Sequence, residues 1–251
     1  MYYKKKNITF YYDQYGSKPD TIIILPGWGN TSKTFTRIID YFKNNYSIII
    51  FDYPGFGKSP LPNKILTIYD YAEVIASFIK EKNIINPIII AHSFGGRITA
   101  ILNKYNLNIK KIILIDVAGI KRKKSIIIYI KEKVYKILKF LTKYLPTKIR
   151  NYLRKKIFDI FSSSDYQQLS PLMQKTFQNI IHEDLTNYYK KTKTETLILW
   201  GEKDQDTPLK DGYLLERIIP NSALIVFKDG SHYSYLDYEY ETILILKSFI
   251  K

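Results

Sequence analysis

The chain has 251 residues, of which 45% are hydrophobic and 25% charged, a globular composition that suits one large α/β domain or a core with an insertion. It contains no cysteine, which excludes disulfides, thiolate nucleophiles and cysteine-ligated zinc sites. The first ten residues carry lysines without a following apolar segment, and no later run approaches the roughly 18 apolar residues of a membrane span. We therefore expect a cytoplasmic protein.

Short isoleucine-rich runs predict the strands of a parallel sheet. Each is four to six residues long and mostly lacks alternation, the pattern of strands that are buried on both faces. These runs occupy residues 21–25, 46–51, 88–91, 111–115, 196–200 and 223–227. Residues 8–12 predict an earlier, antiparallel edge strand.

Helical patterns separate the predicted strands. Thr67 and Asp70 have the spacing of a capping box, and residues 68–80 then place apolar side chains on one face. Strands that alternate with helices imply right-handed βαβ crossovers. The predicted fold class is therefore α/β, with a doubly wound, mostly parallel sheet.

The alternation stops after Gly119 and resumes at about Thr194. Between them, apolar residues from Ile126 to Leu145 follow helical spacing up to Pro146, and more helix is expected as far as Tyr189. The sequence thus predicts a core of residues 1–119 and 194–251 and a helical insertion of residues 120–193.

The formal net charge of +16 is concentrated in this insertion. Residues 121–156 contain fourteen lysines and arginines and one acid, whereas the rest of the chain is nearly balanced. Two readings stay open: a solvated lysine-rich surface, or contact with an anionic membrane surface or negatively charged substrates. No recognised nucleic-acid-binding motif is present, so we expect no nucleic-acid partner.

The sharpest chemical motif is a buried strand that runs into residues 91–95 (Ala-His-Ser-Phe-Gly) and then a helix. A serine nucleophile has to stand clear of the sheet on a tight strand-to-helix turn, which tolerates only small residues two positions away on either side. Ala91 and Gly95 meet that requirement. Ser93 is therefore the candidate nucleophile, against the alternative of an ordinary serine cap.

A serine hydroxyl needs a general base, which a carboxylate in turn orients. Of the three histidines, His232 follows the last predicted strand, where strand ends converge, and is the candidate base. His92 and His182 are better explained by structural roles. Asp204 is the candidate acid and Asp206 its rival, since both follow another core strand and precede His232.

Several motifs together resemble the α/β-hydrolase superfamily over nearly the whole chain. They lie at residues 25–30, 52–59, 91–95, 201–208 and 230–232. The resemblance implies an eight-stranded sheet and supports Asp204, which stands three residues after the glycine of a Gly-x-x-Asp loop. The family's usual His-Gly in the first loop is replaced by Pro26-Gly27, which is expected to spare catalysis because the oxyanion donor is a backbone N–H.

The resemblance further implies an oxyanion hole formed by the backbone N–H groups of Trp28 and Phe94, and a helical insertion that caps the catalytic pocket. The expected activity is hydrolysis of carboxylic esters of small to medium, hydrophobic acyl substrates, with no cofactor and no metal. Thioesterase, carbon–carbon hydrolase, acyltransferase and perhydrolase chemistry use the same triad and stay open. A non-catalytic binding protein and a nucleic-acid or membrane-surface binder are further alternatives, and the oligomeric state is left open.

Overall fold

A computed structural model describes residues 1–121, 126–161 and 164–251 of the chain. Eight strands in the described residues form one sheet, in the order β1-β2-β4-β3-β5-β6-β7-β8. Their bounds are β1 Tyr2–Lys5, β2 Ile8–Tyr15, β3 Thr21–Leu25, β4 Ser47–Asp52, β5 Ile88–His92, β6 Lys111–Ile115, β7 Thr196–Gly201 and β8 Ser222–Phe227. Strands β3 to β8 are parallel, and β1 and β2 are antiparallel to their neighbours. The predicted doubly wound, mostly parallel sheet is confirmed.

The edge of the sheet differs from the prediction. Strand β2 pairs with β4 on one side and with β1 on the other, so β1, not residues 8–12, forms the edge. The sequence signal for β1 is weak because the strand has four residues, two of them lysines, and charged residues are common on edge strands. Lys6 and Asn7, both with positive φ, make the two-residue turn that joins β1 to β2.

The central strands are isoleucine-rich because both faces of the sheet are covered. Side chains alternate across the sheet, so Ile23 and Ile89 pack into one core cluster while Ile22 and Ile24 pack into the other. All five residues of β3 and all five of β5 are buried. Burial on both faces explains the lack of polar alternation in these strands.

Helices follow the strands in chain order. Their bounds are α1 Thr36–Phe42, α2 Ile68–Glu81, α3 Phe94–Leu102, α4 Ile126–Leu141, α5 Thr147–Phe161, α6 Ser164–Gln168, α7 Pro171–Ile181, α8 Thr186–Tyr189, α9 Leu209–Ile218, α10 Ser234–Asp237 and α11 Glu239–Ile250. Helix α2 begins with the predicted capping box: Thr67 accepts from the Asp70 N–H, and the Asp70 carboxylate accepts from the Thr67 N–H. Among the described residues, no helix combines the length and apolarity that crossing a bilayer requires.

The chain divides into two compact units. One comprises Met1–Lys121 and Asn179–Lys251 and contains the whole sheet, and the other comprises Arg122–Gln178. The second unit lies within the range 120–193 predicted as an insertion. Its role as a cap stays a prediction.

Candidate active site

Ser93 occupies a sharp turn between the buried strand β5 and helix α3. Its backbone has φ 47° and ψ −110°, a region that non-glycine residues rarely adopt and that costs about 1–3 kcal/mol. Hydrogen bonds hold the turn: the Ser93 N–H donates to Ile115 O, and the Ser93 carbonyl accepts from the N–H groups of Gly96 and Ala118. The side chain is only half-buried although the residues beside it are buried.

The small residues around Ser93 are required by close packing. A Cβ atom added at Gly95 would lie 1.9 Å from the carbonyl oxygen of Leu25, in the neighbouring strand β3. Ala91 is completely buried. Helix α3 can therefore start directly against β3, and this close approach fixes the direction in which the turn presents Ser93.

The imidazole of His232 lies between Ser93 and Asp204. The Nε2 atom of His232 is 2.9 Å from the Oγ of Ser93, and its Nδ1 atom is 2.8 Å from the Oδ2 of Asp204. A carboxylate only accepts hydrogen bonds, so Nδ1 carries the proton and neutral Nε2 accepts from the serine hydroxyl. The structure thus brings the three predicted residues together from positions 93, 204 and 232.

Asp204, not Asp206, is hydrogen-bonded to His232. The Asp204 Oδ1 accepts from the backbone N–H groups of Asp206 and Thr207, and its Oδ2 accepts from the Thr207 hydroxyl at 2.6 Å. The Asp204 side chain is fully buried. These bonds leave the carboxylate one orientation, with Oδ2 directed at the imidazole.

The electrostatics of this pair favour an ionised acid beside a basic imidazole. Burial acts to raise the pKa of Asp204, but hydrogen bonds from His232 and Thr207 outweigh it and hold that pKa below its ordinary value. Burial acts to lower the pKa of His232, but the hydrogen bond and the charge of Asp204 raise it overall. Opposite shifts in an acid and its partner indicate mutual stabilisation of the charged forms.

The loop after β3 lies close to the turn that carries Ser93. The rings of Trp28 and Phe94 meet edge to face with centroids 5.1 Å apart, and Trp28 also contacts Phe56. Gly29 in the same loop has φ +80°, a conformation that favours glycine. The two residues predicted to supply the oxyanion donors are therefore neighbours, and their role stays a prediction.

Comparison with known proteins decides the family. The family model described as alpha/beta hydrolase fold matches residues 20–150 of the chain. This chain belongs to the α/β-hydrolase family. The match covers strands β3 to β6 and the turn that carries Ser93.

Relatives of this α/β hydrolase include enzymes of ester chemistry. It is 28% identical to a pimeloyl-[acyl-carrier protein] methyl ester esterase of Wigglesworthia glossinidia brevipalpis, over 96% of this chain and 98% of that protein. It is also 28% identical to Lipase 3 of a Moraxella species, over 85% of this chain and 71% of that protein. An esterase structure from Exiguobacterium antarcticum superimposes with a TM-score of 0.73 at 23% identity, covering 97% and 96% of the two chains. That structural likeness shows the shared fold.

Asp116 is a residue of the candidate site that the sequence patterns do not single out. It is completely buried just after β6, where its Oδ1 accepts from the Gly201 N–H at 2.8 Å and its Oδ2 accepts from the Ser234 hydroxyl at 2.6 Å. Gly201 begins the loop that carries Asp204, and Ser234 follows His232. Burial raises the pKa of Asp116 to about 7, against the hydrogen bonds of Ser234 and Gly201.

His92 makes a hydrogen bond to the loop of His232, which its place in the sequence beside Ser93 does not indicate. Its Nε2 donates to the main-chain carbonyl of His232 at 2.8 Å. Burial, with the neighbouring His232 charge, lowers the pKa of His92 to about 3, so this imidazole stays neutral. His182 is exposed directly after α7. The structural role expected of His92 agrees with this contact, and the expectation for His182 stays a prediction.

One group of side chains has the composition of a cation site. Ligand atoms of Asp204, Asp206 and His232 lie within 4.8 Å of one another. The oxygen atoms of Asp204 already accept four hydrogen bonds, and Nδ1 of His232 is one of the donors. A cation would have to break the bond that orients the imidazole, so the geometry favours a hydrogen-bonded acid and base over a metal centre.

Proposed function

We propose that this chain is a serine hydrolase that cleaves carboxylic esters of small to medium, hydrophobic acyl groups. Ser93 is the nucleophile, His232 the general base and Asp204 the acid that orients it. The observation that carries the proposal is the unbroken hydrogen-bond chain from the Ser93 hydroxyl through the imidazole to a buried carboxylate. Such a chain activates a hydroxyl that is otherwise a poor nucleophile.

In the acylation step, His232 removes the proton from the Ser93 hydroxyl as its oxygen attacks the ester carbonyl carbon. The tetrahedral oxyanion is stabilised by the N–H groups of Phe94 and Trp28, with the positive end of the α3 dipole beside it. Protonated His232 then gives its proton to the leaving alkoxide, and an ester forms on Ser93. Water, deprotonated by His232, attacks that ester and releases the acid.

The ester preference rests on relatives with this fold. The names of two relatives, a methyl ester esterase and a lipase, indicate ester hydrolysis. Each of them aligns with more than four fifths of this chain. The reaction requires no metal or cofactor in this scheme. A hydrophobic acyl group is supported by the partly exposed rings of Trp28 and Phe56, which meet edge to face, with Trp28 packed on Phe94 next to Ser93.

A panel of p-nitrophenyl esters of graded acyl length tests the proposal. The wild-type protein should hydrolyse short and medium esters, and Ser93→Ala should abolish turnover. Ser222→Ala is the matched control, because Ser222 lies at the start of β8, at the opposite end of that strand from the His232 loop. An inactive wild-type protein, or a Ser93→Ala variant as active as the wild type, overturns the proposal. Faster hydrolysis of matched acyl thioesters would assign thioesterase chemistry instead.

A further inference from the structure

Helix α4 presents its apolar stripe to solvent. Side chains at positions i, i+4, i+7, i+8 and i+11 share one face of a helix, and such a stripe normally packs against a core. Here each of the five is between 36% and 57% exposed: Ile130, Val134, Ile137, Leu138 and Leu141. The stripe is therefore a surface feature.

Two aromatic side chains adjoin this exposed stripe, one in the last turn of the helix and one just past its end. Phe140 is 57% exposed and Tyr144 is 74% exposed, and their rings meet edge to face with centroids 5.7 Å apart. Single exposed apolar residues are ordinary, but a contiguous apolar patch marks an interaction site. We call the five stripe residues with Phe140 and Tyr144 the apolar patch.

Strong positive charge surrounds the apolar patch. Residues 126–161 contain ten lysines and arginines and two acids. Lys133 and Lys136 are exposed on the other faces of α4, and Lys143 is exposed just after the helix ends. A helix with one apolar face and lysines on its other faces is typical of elements that lie in a membrane interface, with the apolar face among the lipid chains.

We propose that helix α4 docks this protein on an anionic phospholipid surface. The apolar patch enters the boundary between headgroups and acyl chains, while the surrounding lysines contact lipid phosphates. This arrangement uses both features at once, and it needs no membrane-spanning helix. Each lysine near an anionic surface adds to the attraction, which falls off within a Debye length.

Other partners fit the two features less well. A second copy of this chain would cover the apolar patch but would bring two strongly positive segments together, and like charges repel. A nucleic acid would satisfy the charge but leave the apolar patch in water. An anionic lipid surface satisfies both.

Vesicle cosedimentation of the full chain tests the proposal. The probe is vesicles of equal parts phosphatidylglycerol and phosphatidylcholine, compared with vesicles of phosphatidylcholine alone. We expect binding to the anionic vesicles at low salt and at least tenfold weaker binding to the neutral ones. Ionic strength of about 1 M, where the Debye length is about 3 Å, should weaken binding by a similar factor.

Two variants separate the apolar contribution from the charge. Ile137→Ser with Leu141→Ser should weaken binding to anionic vesicles at least tenfold, as should Lys133→Gln with Lys136→Gln and Lys143→Gln. The matched controls are Ile85→Ser, at a residue 76% exposed in the other unit, and a triple change of the exposed lysines 18, 82 and 191 to glutamine. Both controls should bind within about twofold of the wild type.

Three outcomes overturn the proposal. The first is that the wild type does not bind anionic vesicles at low salt. The second is that the Ile137→Ser, Leu141→Ser variant binds them as well as the wild type does. The third is that the wild type self-associates with rising concentration and that this variant abolishes the self-association but still binds vesicles. Hydrolysis of a soluble p-nitrophenyl ester by the same preparations is measured in parallel. The esterase activity and the lipid docking can thus fail independently.

Discussion

Asp116 accepts a 2.6 Å hydrogen bond from the hydroxyl of Ser234, 118 positions later in the chain. Its other carboxylate oxygen holds the Gly201 N–H, at the start of the loop that carries Asp204. One buried carboxyl after β6 thus holds the two loops that carry Asp204 and His232. The position of the His232 loop therefore depends on a carboxyl from another strand end.

Asp116→Asn should change how stability depends on pH. Between the ordinary carboxyl pKa of 3.8 and its raised value of about 7, the folded protein keeps a proton on Asp116 that the unfolded chain has lost. Unfolding therefore releases a proton, and the contribution of Asp116 to stability falls as pH rises through this window, by up to about 1.4 kcal/mol per pH unit. We expect the free energy of unfolding, measured with urea, to fall less between pH 5 and pH 7 in Asp116→Asn than in the wild type.

Thr99→Ala is the control for this experiment, since it removes one buried hydrogen bond and no ionisable group. It should lose as much stability between pH 5 and pH 7 as the wild type. An Asp116→Asn variant with the wild-type pH dependence would show that Asp116 is ionised in the folded protein throughout this range.

Substitutions of the two aspartates in the loop after β7 should lower kcat by very different factors. Asp204→Asn removes the charge that orients and stabilises the His232 imidazolium, so kcat should fall by a factor on the order of 10⁴, as in other triads. Asp206→Asn keeps the Asp206 N–H bond to Asp204 and should cost less than about tenfold. Initial rates on one p-nitrophenyl ester compare the variants, and the reverse ranking would assign the acid to Asp206.

The pH profile of kcat/KM should report a base with a raised pKa. His232 must be neutral to accept the Ser93 proton, so activity is lost as pH falls through its pKa, which lies above the ordinary 6.5. Asp204 raises that pKa by hydrogen bonding and charge. The residual activity of Asp204→Asn should therefore have its acidic limb at lower pH. If the acidic limb of the Asp204→Asn profile lies at the wild-type pH, Asp204 is not the group that raises the pKa of His232.

Gly95→Ala should destabilise the fold at the turn that carries Ser93. The added Cβ would meet the Leu25 carbonyl oxygen at 1.9 Å, so the strand or the helix must shift, at a cost of about 2 kcal/mol or more. Thr99→Ala, in the same helix, only removes atoms and one hydrogen bond and should cost about 1 kcal/mol. Urea midpoints measure both. If Gly95→Ala unfolds at the same urea concentration as the wild type, the turn that carries Ser93 has room for the added Cβ atom.

Local patterns predicted the parallel part of the sheet. Isoleucine runs such as residues 21–25 and 88–91 are strong signals because burial on both faces leaves no room for polar alternation. The candidate site was predictable as well, since Ser93, Asp204 and His232 each follow a core strand and parallel strands bring those ends to one edge.

The missed features depend on contacts between distant segments. Asp116 looks like any acid at a strand end, and its function comes from partners at positions 201 and 234. His92 likewise bonds a carbonyl 140 positions away. The α4 stripe was visible as an amphipathic pattern, but periodicity gives only the face of a helix and not what that face meets. Its exposure depends on how the rest of the chain folds around it.

Covalent labelling by a fluorophosphonate shows whether Ser93 is an activated nucleophile, because the probe reacts with an activated serine and not with an ordinary one. Mass spectrometry of the labelled, digested protein should find a single adduct on the peptide that contains Ser93. The adduct should be absent in Ser93→Ala and form far more slowly in His232→Ala. A folded wild-type protein that takes up no probe, or takes it up at another residue, would show that Ser93 is not the activated nucleophile.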